Sequence, residues 1–183
     1  MKATEILMEE HDVIIRVLAA LELEVNKARA GKSTPEFFLD AADFIKGFAD
    51  GCHHAKEEGV LFKYMEAAGI PSQGGPIGVM LSDHEQGRLF TRQMRAAALR
   101  WQQGDATAVN DVVENATGYI QLLRGHIFKE NNILFPMADR AIPAAKHDAV
   151  NEAFDRVEHE ETGAGVHEKY LALAEKLEAE SKH

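Results

Sequence analysis

Two ten-residue stretches of the chain follow one pattern. Residues 53–62 read HHAKEEGVLF and residues 126–135 read HIFKENNILF, so both fit H-x-x-x-E-x-x-[VI]-L-F. Upstream of each lies a second matching pair, since residues 7–12 read LMEEHD and residues 80–85 read MLSDHE. His11 precedes His53 by 42 residues, and His84 precedes His126 by the same 42. The chain therefore contains an internal repeat, which has to be interpreted before any single motif.

The interval between the paired histidines predicts two antiparallel helical hairpins. About 20 residues of α-helix rise about 30 Å at 1.5 Å per residue, and a similar length descends after the turn. Gly31 and Gly104 lie 20 residues after His11 and His84, where such turns belong. Each hairpin then returns its second histidine to the level of its first, and two hairpins related by pseudo-twofold symmetry bring four histidines to a common height.

Apolar residues recur at three- and four-residue steps along the whole chain, which predicts an all-α fold. The architecture expected is an up-down-up-down four-helix bundle over residues 1–143, with an additional C-terminal helix over residues 144–183 packed on the same domain. The ordinary helical register should end or kink near Pro136, because a proline ring removes a hydrogen bond and clashes one turn back. The last helix should be interrupted at residues 163–165.

Charge and composition exclude several classes of partner. A formal net charge of −10, without a run of basic residues to offset it, argues against nucleic acid or an anionic membrane surface. No stretch of about 18 apolar residues could span a bilayer, and the N-terminus lacks the apolar core of a signal peptide. Cys52 is the single cysteine, so no intramolecular disulfide can form. These features predict a soluble cytoplasmic protein.

Histidines and glutamates at repeat-related positions predict a metal site. His11 and His126 lie among apolar residues and should point into the core, where an ionisable group needs a partner. One such histidine is usually a satisfied core residue, but four at symmetric positions with two carboxylates are difficult to explain in that way. Spacing of i, i+4 also places each His–Glu pair on one helix face. The predicted ligands are His11, His53, Glu57, His84, His126 and Glu130.

The number and type of these donors favour two irons over one zinc. A structural zinc takes four ligands, whereas imidazole and carboxylate together suit iron. If each iron takes two histidines and both glutamates bridge, about two of six octahedral positions stay open at each metal. The prediction is a non-haem di-iron centre with an oxo or hydroxo bridge, which meets a small diatomic or peroxide ligand (O2, NO or H2O2).

The pattern H, H-x-x-x-E, H, H-x-x-x-E over residues 4–143 resembles the haemerythrin-like, or HHE cation-binding, family. The resemblance implies that His11 and His53 bind one iron and that His84 and His126 bind the other, with Glu57 and Glu130 as bridges. Oxygen-carrying members have a fifth histidine one turn after the third-helix ligand, where this chain has Arg88. The missing ligand implies a more open second iron, which favours redox reaction or sensing over reversible oxygen carriage.

Several neighbouring residues offer alternative ligands. His54 and Glu58 have the same i, i+4 spacing as His53 and Glu57, but only the latter pair aligns with His126 and Glu130. His54 and Glu58 are therefore expected outside the coordination sphere or at the surface. Cys52 is interpreted as a small buried residue. In the last helix a ligand could also come from His159, Glu160, Glu161 or His167, although a solvated acidic face is favoured.

Three functions are compatible with this sequence. The leading hypothesis is a di-iron binding protein that serves sensing, detoxification or iron handling. The second is a di-iron enzyme that decomposes peroxide or repairs iron centres. In the third, the metal site is structural and the C-terminal helix and acidic surface form an interaction module.

Overall fold

The computed structural model describes residues 2–183, apart from the side chains of residues 160 and 161. All regular secondary structure in this range is helical, as predicted. We number six helices: α1 (Ala3–Arg29), α2 (35–67), α3 (Pro76–Gln102), α4 (108–141), α5 (144–163) and α6 (Val166–Ser181). Among the described residues, no helix has the length and apolar character needed to cross a membrane.

Helices α1 to α4 form the predicted bundle. Helix α4 packs against α1 and α3, α2 packs against α3, and α6 lies along α1 and α2. Apolar side chains form two separate clusters, one containing Phe38, Phe48 and Met94 and the other containing Leu7 and Phe135. The histidines lie between these clusters, so the bundle holds one polar layer within an apolar interior.

The glycines at repeat-related positions end the first helix of each hairpin. Gly31 has φ of 69° and Gly104 has φ of 104°, a left-handed conformation that glycine adopts at little cost. Each lies two residues after the end of its helix and turns the chain back. The expected turns are therefore present in both halves of the repeat.

Helices α2 and α4 contain π-helical segments beside the histidine layer. Helix α2 is π-helical over Ile45–His54 and Glu57–Leu61, and α4 is π-helical over Glu130–Leu134. The ordinary register of α4 ends before Pro136, but the helix continues to Ala141. It continues because Pro136 lies in the first turn of the segment Phe135–Ala141, where a missing N–H costs little.

The C-terminal region forms two helices joined at the predicted interruption. Gly163 and Gly165 have φ of 109° and 79°, and α6 then runs back along the bundle. Tyr170, Ala174 and Leu177 of α6 are buried against the larger apolar cluster. These residues attach the C-terminal helices to the bundle.

The close approach of α6 to α2 at Gly47 supplies a prediction about stability. A Cβ atom at position 47 would lie 1.8 Å from the Tyr170 ring, so Gly47→Ala should lower the free energy of unfolding by about 1–3 kcal/mol. Gly125→Ala is the control, because a Cβ atom there meets nothing within 4 Å and should stabilise its helix by up to about 1 kcal/mol. Chemical denaturation measures the stability of both variants. Equal denaturation midpoints for Gly47→Ala and Gly125→Ala would show that the Tyr170 ring moves aside at no cost.

Candidate metal centre

The six predicted ligands and His54 converge in the interior of the bundle. All seven residues are buried, with exposed fractions of 0–2%. Their potential ligand atoms form two groups, each with every atom within 4.8 Å of the others. The first group consists of His11, His53, Glu57 and Glu130, and the second of His54, Glu57, His84 and His126.

The two glutamates lie between these groups. Glu57 places Oε1 3.4 Å from His53 Nε2 and Oε2 3.3 Å from His84 Nε2. Glu130 Oε2 lies 3.1 Å from His11 Nε2 and 3.2 Å from His126 Nε2. Each carboxylate thus faces one imidazole of either group, which is where a bridging ligand has to lie.

Every histidine of the centre has an acceptor at Nδ1. The acceptor atoms are Asn131 Oδ1 for His11 (2.7 Å), Glu10 Oε2 for His53 (2.9 Å), Asp50 Oδ1 for His54 (2.9 Å), Glu58 Oε1 for His84 (2.8 Å) and Asp83 Oδ2 for His126 (3.3 Å). Carboxylate and amide oxygens accept, so each Nδ1 carries the proton and donates it. The Nε2 atoms therefore face the centre, in the arrangement usual for metal-bound imidazoles.

The internal repeat extends to these acceptors. Glu10 and Asp83 each precede the first histidine of their half and accept from the second histidine. Two lysines that match between the repeats bind the same carboxylates: Lys56 Nζ lies 2.5 Å from Glu10 Oε1 and Lys129 Nζ 2.6 Å from Asp83 Oδ2. The acidic acceptors are therefore neutralised from outside, and each half of the repeat forms one complete imidazole support.

Polar atoms at the centre lack partners within the described residues. The Nε2 atoms of His11, His53 and His54 and all four carboxylate oxygens of Glu57 and Glu130 form no hydrogen bond. His84 Nε2 and His126 Nε2 lie 3.2 Å apart, so the two nitrogens have room for at most one proton between them. An unsatisfied buried polar group costs about 1–3 kcal/mol, whereas cations at the centre would satisfy all of these atoms. The side chains present therefore fit a metal centre.

The carboxylates control the protonation of the imidazoles. Burial alone would lower the pKa of His53, but Glu57 and Glu10 raise it to about 10. Burial likewise opposes Asp83 and Glu130, which raise the pKa of His126 to about 9. Burial and the adjacent His84 hold the pKa of His54 well below its usual range. Burial would raise the pKa of Glu57, yet His53 and His84 hold it well below the ordinary value.

These raised values predict how the stability of metal-free protein depends on pH. An unfolded histidine has a pKa of about 6.5. The ion pairs of His53 and His126 therefore stabilise the folded state fully below about pH 6.5. This stabilisation is lost as the pH rises through about 9 for His126 and about 10 for His53. We expect the free energy of unfolding of chelated protein to fall over that range. Denaturation at fixed ionic strength from pH 7 to pH 10 tests this, and constant stability would contradict the assigned pairs.

The chain is similar to known proteins over most of its length. A family model described as the Hemerythrin HHE cation binding domain matches residues 2–138. The chain belongs to this family. Uncharacterized proteins of Mycobacterium bovis and of Mycobacterium tuberculosis are each 26% identical over 162 residues, which cover 88% of the chain. The chain spans 63% of the length of these relatives. No solved structure matches it.

The position of His54 in this haemerythrin-family chain differs from the expectation. His54 is buried and not at the surface: its ring stacks on His84 with centroids 3.8 Å apart, and it offers a potential ligand atom to the second group. The physical reason is the π-helical segment Ile45–His54. Its wider turn reduces the angle between successive side chains, so His53 and His54 both point inward.

Glu57 and Glu58 separate as expected. Glu57 faces both groups of donors, whereas Glu58 accepts from His84 Nδ1 at 2.8 Å and from Arg88 Nη2 at 2.6 Å. Glu58 therefore lies on the outer side of the His84 ring. Its place corresponds to that of Asn131, which follows Glu130 and accepts from His11.

Arg88 stands where the resemblance implied a missing ligand, and the structure places a further histidine beside the same group. His54 enters the group of His84 and His126 from α2, so the two groups contain two and three histidines instead of two each. Arg88 itself pairs with Glu58 and with Glu85. The group of His11 and His53 has fewer imidazoles. We therefore expect the more open metal at that group and not at the group of His84 and His126.

Among their described side chains, the C-terminal helices contribute no donor to either group. His159 is exposed, and the side chains of Glu160 and Glu161 lie outside the described residues. His167 Nδ1 lies 3.7 Å from Cys52 Sγ, in an outer cluster completed by Glu10 and Glu158. Lys56 already bridges the two carboxylates of that cluster. Cys52 is buried, and burial raises the pKa of its thiol to about 12, as suits an inert residue.

The assignment of His54 to the second group predicts a selective loss of metal. His54→Ala leaves that group with His84, His126 and Glu57, so we expect bound metal to fall from about two ions per chain toward one. His159→Ala is the control, because its side chain is exposed and belongs to neither group. Elemental analysis of both variants checks this, and unchanged metal in His54→Ala would remove His54 from the ligand set.

Proposed function

We propose that this chain is a non-haem di-iron protein that receives O2, NO or a peroxide and serves sensing, detoxification or iron handling. The observation that supports it is the pair of adjoining donor groups that share Glu57 and have Glu130 between them. Membership of a cation-binding family agrees with this arrangement.

The chemistry of the donors favours iron. Both groups consist of imidazole nitrogens and carboxylate oxygens without a thiolate, a combination that suits iron better than softer metals. The two carboxylates contribute two negative charges, which fall short of the charge of two divalent or trivalent cations. The remaining positive charge favours small anionic ligands. When bound, iron supplies the redox chemistry that O2, NO and peroxide require.

Burial of the donors limits the size of the outside molecule. Their exposed fractions of 0–2% exclude a large substrate, whereas a molecule of two to four atoms can pass through transient gaps in the packing. The group of His11 and His53 offers four donors, which leaves about two of six positions for such a molecule. The outer acceptors keep each Nε2 directed inward while it binds.

The proposal is tested with protein reduced and loaded with iron without oxygen. The protein is mixed with O2, NO or H2O2 in a stopped-flow spectrometer. At least one of the three should change the visible spectrum, and the change should be complete at one equivalent per pair of irons. His126→Ala should lose the response and His159→Ala should keep it. Consumption of many equivalents of H2O2 would identify an enzyme. Loaded protein that responds to none of the three would contradict the proposal.

A further inference from the structure

A basic pocket lies between α2 and α3, outside the metal centre. The cavity measures about 400 Å³ and is lined by Lys46 and Asp50 from α2 and by Arg88, Arg92 and Arg95 from α3. Four cationic side chains thus surround one cavity in a chain of net charge −10. These four residues are separated along two helices, so they do not form a basic run in the sequence.

Three of these cations lack a counterion among the residues that the structure describes. Among the described residues, Lys46, Arg92 and Arg95 form no ion pair and no side-chain hydrogen bond, although acidic residues outnumber basic ones by 30 to 20. Arg88 is held by Glu58 and Glu85. The Asp50 carboxylate accepts from His54 Nδ1 at 2.9 Å and lies 3.7 Å from Arg88 Nε. The pocket therefore has a net positive charge that the side chains described by the structure do not neutralise.

The helical spacing directs these groups toward one place. Arg88, Arg92 and Arg95 are spaced i, i+4, i+7, so they share one face of α3. Lys46 comes from the opposite wall on α2. Guanidinium groups present planar pairs of N–H donors that match the oxygens of phosphate, and an ammonium group adds a point charge. Several such donors around a concave surface favour a compact dianion over a neutral ligand.

We propose that this pocket binds a small phosphate dianion, either inorganic phosphate or a phosphomonoester. The pocket adjoins the metal centre through two contacts, since Asp50 supports His54 and Arg88 holds the Glu58 that supports His84. A bound anion competes with Glu58 and Asp50 for Arg88. The site goes beyond the proposed function and does not depend on which metal the centre holds.

The test is isothermal titration of metal-loaded protein with inorganic phosphate and, separately, with glycerol phosphate at constant ionic strength. Arg92→Ala/Arg95→Ala should bind at least tenfold more weakly than the unmodified chain. Lys63→Ala/Arg140→Ala removes the same charge from exposed positions without ion pairs and should bind normally. Both double variants keep every proposed metal ligand, so phosphate bound to metal contributes equally to all three proteins.

The outcomes separate the two sources and the general effect of charge. If glycerol phosphate binds more tightly than inorganic phosphate, the ligand of the pocket is a phosphomonoester. If it binds equally or more weakly, the ligand is inorganic phosphate. Equal weakening in both double variants, at unchanged thermal stability, would overturn the proposal in favour of nonspecific attraction. Absence of saturable binding to the unmodified chain would overturn it as well.

Discussion

Glu57→Ala is expected to lower the occupancy of the two metal positions below half, whereas Glu58→Ala is expected to leave both filled. The two glutamates are adjacent in the chain, but only Glu57 faces His53 on one side and His84 on the other. Its removal takes a donor from each group and leaves Glu130 alone between them to offset the metal charge. Glu58 supports His84 from outside, and loss of such a partner typically lowers metal affinity about 10–100-fold.

This comparison is made on protein loaded anaerobically with excess iron and then desalted. Elemental analysis gives the occupancy, and competition with a chelator gives the relative affinity. Glu57→Ala should hold less than half the iron of the unmodified chain, while Glu58→Ala should fill but release its iron to the chelator sooner. Equal occupancy and equal release in both variants would show that Glu57 is not a shared ligand.

Removal of the metal should produce the second large effect, a lower thermal stability. A ligand that binds only the folded state stabilises it by about 4 kcal/mol when present at a thousand times its dissociation constant. For a chain of this size each kcal/mol corresponds to about 2–4 °C in Tm. Two tightly bound ions should therefore raise Tm by roughly 15–30 °C. The physical source is the set of buried imidazole nitrogens and carboxylate oxygens that nothing in the described chain satisfies.

Calorimetry of iron-loaded and chelated protein measures this difference. His126→Ala is the matched variant, because it removes a donor of the second group only and should reduce the effect of the chelator on Tm to about half. The same Tm with and without chelator in the unmodified chain would mean that the centre holds no stabilising metal.

The repeat predicted most of the fold because helical spacing is a local property. His–Glu pairs at i, i+4 and equal intervals between histidines require hairpins of equal length, and the four-helix bundle follows from them. The six predicted side chains come together for the same reason. Their role as ligands stays a prediction.

The position of His54 was missed because π-helical winding depends on tertiary contacts. A π-helical turn is stabilised by the contacts that its side chains make in the core, and the ordinary helical periodicity of the sequence does not predict such a turn. One signal was present: Asp50 precedes His54 by one turn, while the equivalent positions of the other half hold Leu123 and Ile127. That asymmetry between otherwise matching repeats indicates a fifth imidazole with its own acceptor.

The outer acceptors left a clearer signal. Acidic residues precede His11 and His84, and lysines precede Glu57 and Glu130, at equivalent places in both repeats. Their pairing in space, Glu10 with Lys56 and Asp83 with Lys129, explains why the lysines recur. The basic pocket gave no such signal because its cations are unique to one half and come from two helices.

Iron content combined with Mössbauer spectroscopy tests the central claim most directly. On protein reconstituted without oxygen, the two-group arrangement predicts about two irons per chain, with two spectral components because one group has two histidines and the other three. Occupancy of one iron or none in folded protein, or two irons lost equally from His159→Ala and His126→Ala, would contradict it.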